Sequence, residues 1–313
     1  QTCALPISPA EVLNMNNSTR NFKMKKLLIA TTALVATAGM AAADVTITGH
    51  AAAGFHSGLD NVATTSNTTD IAGDGIYSNA GVDFTMSGAT DNGISFSATL
   101  NIDAGEEVDT GDFEYDGADG GTAGLGAVSM TGAFGTLTFD NNGIDNLYSD
   151  ATTHDVSYAT TVGAIGLTVG YDVTAASANA TSAQATYSAS GMAFTLTGSE
   201  APGGTSTTLA VSYALNDTVT ITADTDSAAG GASVQTVGAS TTLNGVSVSV
   251  ESANNSTWDV DLGYTAGGFA LTYGVDETDA WTATATAALG GGATFSAGVD
   301  SADATYAGVS FAF

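Results

Sequence analysis

The chain has 313 residues, of which 32 are acidic and only 4 basic, for a formal charge of −28 at pH 7. The basic residues are Arg20, Lys23, Lys25 and Lys26, so none follows residue 26, whereas Glu11 is the one acid before Asp44. A stretch without Lys or Arg cannot neutralise phosphates, which excludes nucleic-acid binding; it also lacks a P-loop lysine or an arginine clamp for nucleotide chemistry.

High acidity often means disorder, but hydrophobic residues make up 43% of this chain and charged ones only 12%. Thr, Val and 39 glycines favour strands and tight turns over helices, and after residue 43 the only proline is Pro202. The single cysteine is Cys3, so thiol and disulfide chemistry are absent beyond it.

In chain order, residues 1–23 show no periodicity and read as a spurious or non-native upstream segment. Met24-Lys25-Lys26 opens a signal peptide, residues 27–39 form its apolar stretch, and Ala41-Ala42-Ala43 fits the small-x-small cleavage rule. That apolar run is shorter than the ~20 residues of a spanning helix. The exported domain is then 44–313, starting at Asp44.

From there apolar and polar residues alternate with period 2. Ile94, Phe96, Ala98, Leu100 and Ile102 alternate with Ser95, Ser97, Thr99, Asn101 and Asp103. Trp258, Val260, Leu262 and Tyr264 alternate with Asp259, Asp261 and Gly263. Successive strand side chains point to opposite faces, so each segment has one apolar and one polar face. Eighteen strands are expected: 45–55, 78–88, 94–103, 124–132, 136–141, 154–161, 165–174, 182–190, 193–200, 205–214, 218–226, 233–242, 246–252, 257–265, 269–276, 280–288, 293–300 and 304–313; merging weak hairpins gives 16. Tight turns such as Asn244-Gly245 and Gly267-Gly268 alternate with longer polar connections at 58–76, 104–122 and 142–153. Short turns at one end and longer loops at the other imply an all-β, antiparallel, up-and-down transmembrane barrel of 16–18 strands. The apolar set then faces outer-membrane lipid and the polar set a water-filled lumen.

Lumen parity assigns Asp83, Asp103, Asp140, Asp172, Asp224, Glu251, Asp259, Asp261, Asp276 and Asp300 to the wet face, and Asp145 joins them as a pore acid in the third loop. Rings of carboxylates favour cations, so passive diffusion of small hydrophilic solutes with cation preference is expected. The acidic run Glu106, Glu107, Asp109, Asp112, Glu114, Asp116 and Asp119 reads as an external loop and a candidate weak divalent-cation site, but Ala123 stands where a calcium loop needs its bidentate Glu. No cofactor is expected beyond a loosely held Ca2+. His50 and His56 share lumen parity but lie roughly 20 Å apart along one strand, too far for one metal. His154 and Asp155 alternate to opposite faces, and no nucleophile elbow exists, so no enzyme is expected. Tyr77, Phe139, Tyr171, Trp258, Tyr264, Trp281, Phe295, Phe311 and Phe313 are candidates for the interfacial girdles. A rival reading is a secreted, acidic, calcium-screened surface protein of S-layer or β-solenoid type, but no fixed repeat supports it.

Several motifs resemble Gram-negative general porins of the alphaproteobacterial (Rhodobacter-like) kind. Asp44-Val-Thr-Ile-Thr-Gly resembles their first strand, and Phe84-Thr-Met-Ser-Gly-Ala-Thr-Asp-Asn-Gly with Ile94-Ser-Phe their second hairpin. Thr131-Gly-Ala-Phe-Gly-Thr-Leu resembles the turn before the fifth strand, and Ala307-Gly-Val-Ser-Phe-Ala-Phe313 the terminal strand. The resemblance implies homotrimers of 16-stranded barrels, each narrowed by an inward third loop. It also implies that the barrel-assembly machinery reads the aromatic end, Phe311 and Phe313. The chain departs from the family pattern in its short third loop and in having no basic cluster to oppose the acids.

Overall fold

The computed structural model describes residues 44–61, 71–149, 152–173, 181–201 and 204–313. The upstream segment and signal peptide expected over 1–43 lie outside the described residues.

The described residues form nineteen strands and no helix. In chain order these are β1 (Asp44–Ser57), β2 (Asp60–Asn61), β3 (Gly75–Ala89), β4 (Ser95–Asp109), β5 (Glu114–Gly132), β6 (Gly135–Asp145), β7 (Thr153–Val162), β8 (Ile165–Tyr171), β9 (Thr181–Ala189), β10 (Met192–Ala201), β11 (Gly204–Ala214), β12 (Val219–Ser227), β13 (Val234–Leu243), β14 (Val246–Ala253), β15 (Trp258–Ala266), β16 (Phe269–Asp276), β17 (Trp281–Gly290), β18 (Ala293–Asp300) and β19 (Thr305–Ala312). The two-residue β2 lies parallel to the start of β5. The other eighteen make one antiparallel ring, because β1 pairs with β3 on one side and with β19 on the other. The count read from alternation holds, and the sixteen implied by the resemblance does not.

Closure is made by the chain ends. Gly49 N donates to Phe313 O at 2.6 Å and Phe313 N to Gly49 O at 2.9 Å. An open sheet would leave a row of unpaired N–H and C=O groups at each edge, and a ring has no edge. A closed ring is also incompatible with the solenoid alternative.

The tight turns close with the residues that geometry demands. Asn244 and Gly245 have φ of 53° and 85°, and Gly267 and Gly268 have 61° and 87°. Two successive positive φ values make a type I′ turn, whose twist matches that of the flanking strands.

The outward face is apolar and open. Ile47 is 62% exposed and Phe55 69%, while Thr46, Thr48 and His50 alternate to the other side. Phe139, Tyr171, Trp258, Tyr264 and Phe311 are also exposed, as the girdle reading expects.

Two expectations fail, for one reason. Residues 104–122 are not an irregular connection: β4 runs to Asp109 and β5 starts at Glu114, with three register shifts along the ladder. Tyr77 is not a girdle residue but is 4% exposed, on the polar face. Inside the acidic run sit Val108, Phe113 and Tyr115, which pack with Leu59, Ala72, Tyr77, Ala304 and Tyr306 as an apolar cluster. Burial of these groups, at roughly 25 cal/mol per Å2, offsets the repulsion among exposed acids around them. The cluster fits because Gly54 and Gly308 leave space beside Tyr77.

That space gives a test. A Cβ on Gly308 would overlap the Tyr77 hydroxyl and lie 2.7 Å from Ala53 O. Gly308→Val is expected to cost about 1–3 kcal/mol or more through overpacking. It should lower the fraction of chain running as the compact, heat-modifiable band on a gel. Adding Tyr77→Phe should restore little, since the Ala53 carbonyl overlap remains.

Candidate functional site

The site is built from the polar faces of the strands and one segment lying across them. On β12 to β17, Thr220, Ser240, Ser249, Asp261, Thr272 and Thr282 line a concave wall enclosing about 600 Å3. They alternate with the exposed apolar residues, so the sequence parity alone sets this face.

The segment Asn146–Ser149, after β6, is seated on the same face. Asn146 Nδ2 donates to Ser199 Oγ of β10 at 2.9 Å, and Leu147 N to Ser182 Oγ of β9 at 3.1 Å. Tyr148 Oη donates to Asp226 Oδ1 of β12 at 2.9 Å, while Thr208 Oγ1 holds Asp226 Oδ2 at 2.9 Å. The segment is closed on itself by Asn146 N to Thr152 O at 3.0 Å. Six strand spacings, from β6 to β12, are about 29 Å along the sheet. Three residues span at most about 11 Å, so with two side chains the contact must cross the concave side. The polar face is therefore the inside of the barrel, and the segment folds into the lumen.

Its anchors are deeply buried: Asn146, His154, Ser182 and Ser199. His154 Nε2 is 2.8 Å from Ser182 Oγ, and its ring lies over Gly170, where a Cβ would overlap it. Asp155 turns elsewhere, accepting Asn142 N at 3.0 Å and Val173 N at 2.8 Å. Burial first, and then the hydrogen bond to Asp226, raise the pKa of Tyr148 above its ordinary value, so its phenol stays a donor at neutral pH.

The expected acids fall into distinct groups. Glu251, Asp259 and Asp276 are directly opposed across β14, β15 and β16, a row of three carboxylates. Asp261, opposite Ser249, lies two residues along the same face of β15, and Asp224 lies on β12 opposite Thr236. Asp276 also caps its own turn: Oδ1 accepts Thr278 N and Oγ1, each at 2.8 Å, and Ala280 N at 3.1 Å. Asp300 caps the last long-end turn through Ala302 N and Ala304 N in the same way. Asp83 and Asp103 face His50 on another part of the wall. Asp140 sits where the β6–β7 ladder is interrupted, Asp145 pairs with Thr153 at the base of the inward segment, and Asp172 follows β8.

The acidic run is spread along the β4–β5 hairpin, with Asp109, Asp112, Glu114 and Asp116 near its turn. Asp109 and Glu114 are opposed, Glu107 faces Gly117, and Glu106 and Asp116 lie further along the two strands. Asp109 Oδ1 caps the hairpin turn through Gly111 N at 2.7 Å, with Asp112 N at 3.4 Å. The side chain of Asp119 lies outside the described ones. Among the described residues, no three His, Cys, Asp or Glu are grouped to hold a metal ion.

The apolar cluster on the wet face was missed from sequence, together with His56 stacked on Tyr115 at 4.9 Å. The available signal was Tyr77 and Tyr306 at lumen parity, in register with strands carrying Gly54 and Gly298.

A closed barrel with an apolar exterior, a polar interior and a segment folded into its lumen is a membrane channel of the porin class. The sequence matches the model of the family described as Gram-negative porin over residues 30–312. Among solved structures, a triple mutant of Rhodopseudomonas blastica porin aligns at 17% identity with a TM-score of 0.51, covering 86% of this chain and 100% of that one. Another mutant of the same porin aligns at 17% identity with a TM-score of 0.52 and the same coverage. No curated protein matches the sequence. The chain belongs to the Gram-negative porins, which are outer-membrane channels rather than enzymes.

The inward segment can be loosened selectively. Tyr148→Phe removes the donor to Asp226, and a hydrogen bond to a charged group contributes about 1.5–3 kcal/mol. Single-channel recordings should show a higher mean conductance and more current noise, at unchanged heat-modifiability. Unaltered noise would mean that Asn146 and Leu147 hold the segment by themselves.

Proposed function

We propose that this porin passes small hydrophilic solutes and ions passively and prefers cations. The row Glu251, Asp259 and Asp276 carries the reading. Like charges directly opposed across strands repel. No Lys or Arg follows residue 26 to neutralise them. Mobile cations are then the available counter-charge, and a lumen that gathers cations excludes anions. Asp83, Asp103, Asp140, Asp145, Asp172, Asp224 and Asp261 add to the same field. The inward segment sets the width through which solutes pass.

The exposed apolar face supports contact with outer-membrane lipid, and the family resemblance supports a homotrimer. Pairing of Phe313 with Gly49 supports assembly from the carboxy-terminal strand, with Phe311 and Phe313 as the signal.

Reversal potential across a planar bilayer in a KCl gradient tests the selectivity. The sign should report cation preference at 0.1 M salt, where the Debye length is about 10 Å, and fade toward 1 M, where it is about 3 Å. Glu251→Gln with Asp259→Asn should move the potential toward zero. Anion preference in the unaltered protein would overturn the reading.

A further inference from the structure

His50 cannot share an ion with His56, but it meets other ligands across the sheet. His50, Gly81 and Asp103 are directly opposed on β1, β3 and β4. Gly81 has no side chain, so the imidazole and the carboxylate meet above it, and a Cβ there would overlap both. His50 Nε2 lies 3.3 Å from Asp103 Oδ1, and His50 Nδ1 lies 3.8 Å from Asp83 Oδ2.

The Nε2 contact is not an aligned hydrogen bond. Asp103 Oδ1 is buried and accepts none, whereas its Oδ2 takes Asn101 Nδ2 at 2.6 Å. A hydrogen bond puts the oxygen on the N–H axis, whereas two ligands of one ion put it to the side. Zinc binds imidazole nitrogen and carboxylate oxygen at about 2.0–2.2 Å, so adjacent ligand atoms at octahedral to tetrahedral angles stand about 2.8–3.6 Å apart. The observed separation falls in that interval. On the far side of the ring, Asp83 Oδ2 at 3.8 Å from Nδ1 is beyond hydrogen-bond distance and acts as a nearby negative charge that favours a bound cation. A niche of about 200 Å3 that His50 lines together with Tyr77, Asn79, Glu107, Ser296 and Ser310, but not Asp103, leaves room for water on the other side of the imidazole.

We propose that His50 Nε2 and Asp103 Oδ1 form a two-ligand site on the lumen wall for a late first-row divalent ion such as Zn2+, with the Asp83 carboxylate as a nearby negative charge and lumen water completing the shell. An imidazole paired with a carboxylate suits Zn2+, Cu2+ or Ni2+, whereas Ca2+ and Mg2+ take oxygen ligands. The site goes beyond general cation preference, which Ca2+ satisfies equally well.

Calorimetric titration of the folded full chain in detergent with Zn2+, repeated in excess Ca2+, is the test. One saturable Zn2+ per chain that Ca2+ does not displace is expected. His50→Ala and Asp103→Asn, each removing one of the two protein ligands, should abolish it, and Asp83→Asn, removing only a nearby charge, should weaken it several-fold. Asp91→Asn, at a tight turn, should leave it unchanged. The heat-modifiable gel shift checks folding of each variant, with His50→Gln replacing His50→Ala if the latter does not fold. Zn2+ binding that survives loss of His50, or that equal Ca2+ displaces, overturns the site. Binding needs no current, so a chain that takes Zn2+ but passes no ions would sink the channel reading and leave this one standing.

Discussion

The structure depends on backbone hydrogen bonds that have no alternative partner in lipid. Each unpaired N–H or C=O in hydrocarbon costs several kcal/mol, so a spanning sheet must close. Here the closure is the pairing of β1 with β19, completed by Phe313 on Gly49. Once the ring is closed, period 2 has one consequence everywhere. Each strand gives its apolar side chains to lipid and its polar ones to water. No helix, disulfide or Lys/Arg salt bridge contributes among the described residues, so ladder and parity carry the architecture.

The wet face is not uniformly wet. Around β9 to β11 the wall is hydroxyl-rich, and its buried Ser182, Ser199 and Ser206 hold inward-reaching backbone and amide groups. Around β1, β3 and β19 it is an apolar cluster against glycine. Around β14 to β16 it is carboxylate. Each choice follows from what lies opposite. A neutral hydroxyl can satisfy an incoming N–H without burying charge. An apolar cluster excludes water where a hairpin folds back. Carboxylates stay where solvent still reaches them, because burying them unpaired would cost far more.

Most of the fold was legible because strand alternation is a local signal. Ile165, Leu167, Val169 and Tyr171 show their common face without knowledge of any neighbour, and Asn244-Gly245 marks its own turn. What was illegible depends on contacts between distant positions. Val108 and Phe113 sit among seven nearby acids, and their packing with Tyr77 and Tyr306 accompanies the hairpin into which that stretch folds. The inward direction of Asn146 to Ser149 depends on Ser182, Ser199 and Asp226, which no spacing in the third loop announces. His50 and Asp103 are 53 positions apart, and register plus the missing side chain of Gly81 brings them together.

Charge of one sign changes what such a lumen can discriminate. Acids facing a basic wall would create a transverse field, which orients a dipolar solute as it passes. With no Lys or Arg beyond residue 26, that opposing wall cannot exist here. The carboxylates of β14 to β16 share the lumen with further acids elsewhere on the wall, Asp83 and Asp103 of β3 and β4 and Asp140 of β6, so the field has one sign all round rather than running from acid to base. A neutral dipole is turned weakly in such a field, whereas an ion is attracted or repelled in full. Discrimination in this porin therefore rests on a solute's net charge and size more than on its polarity.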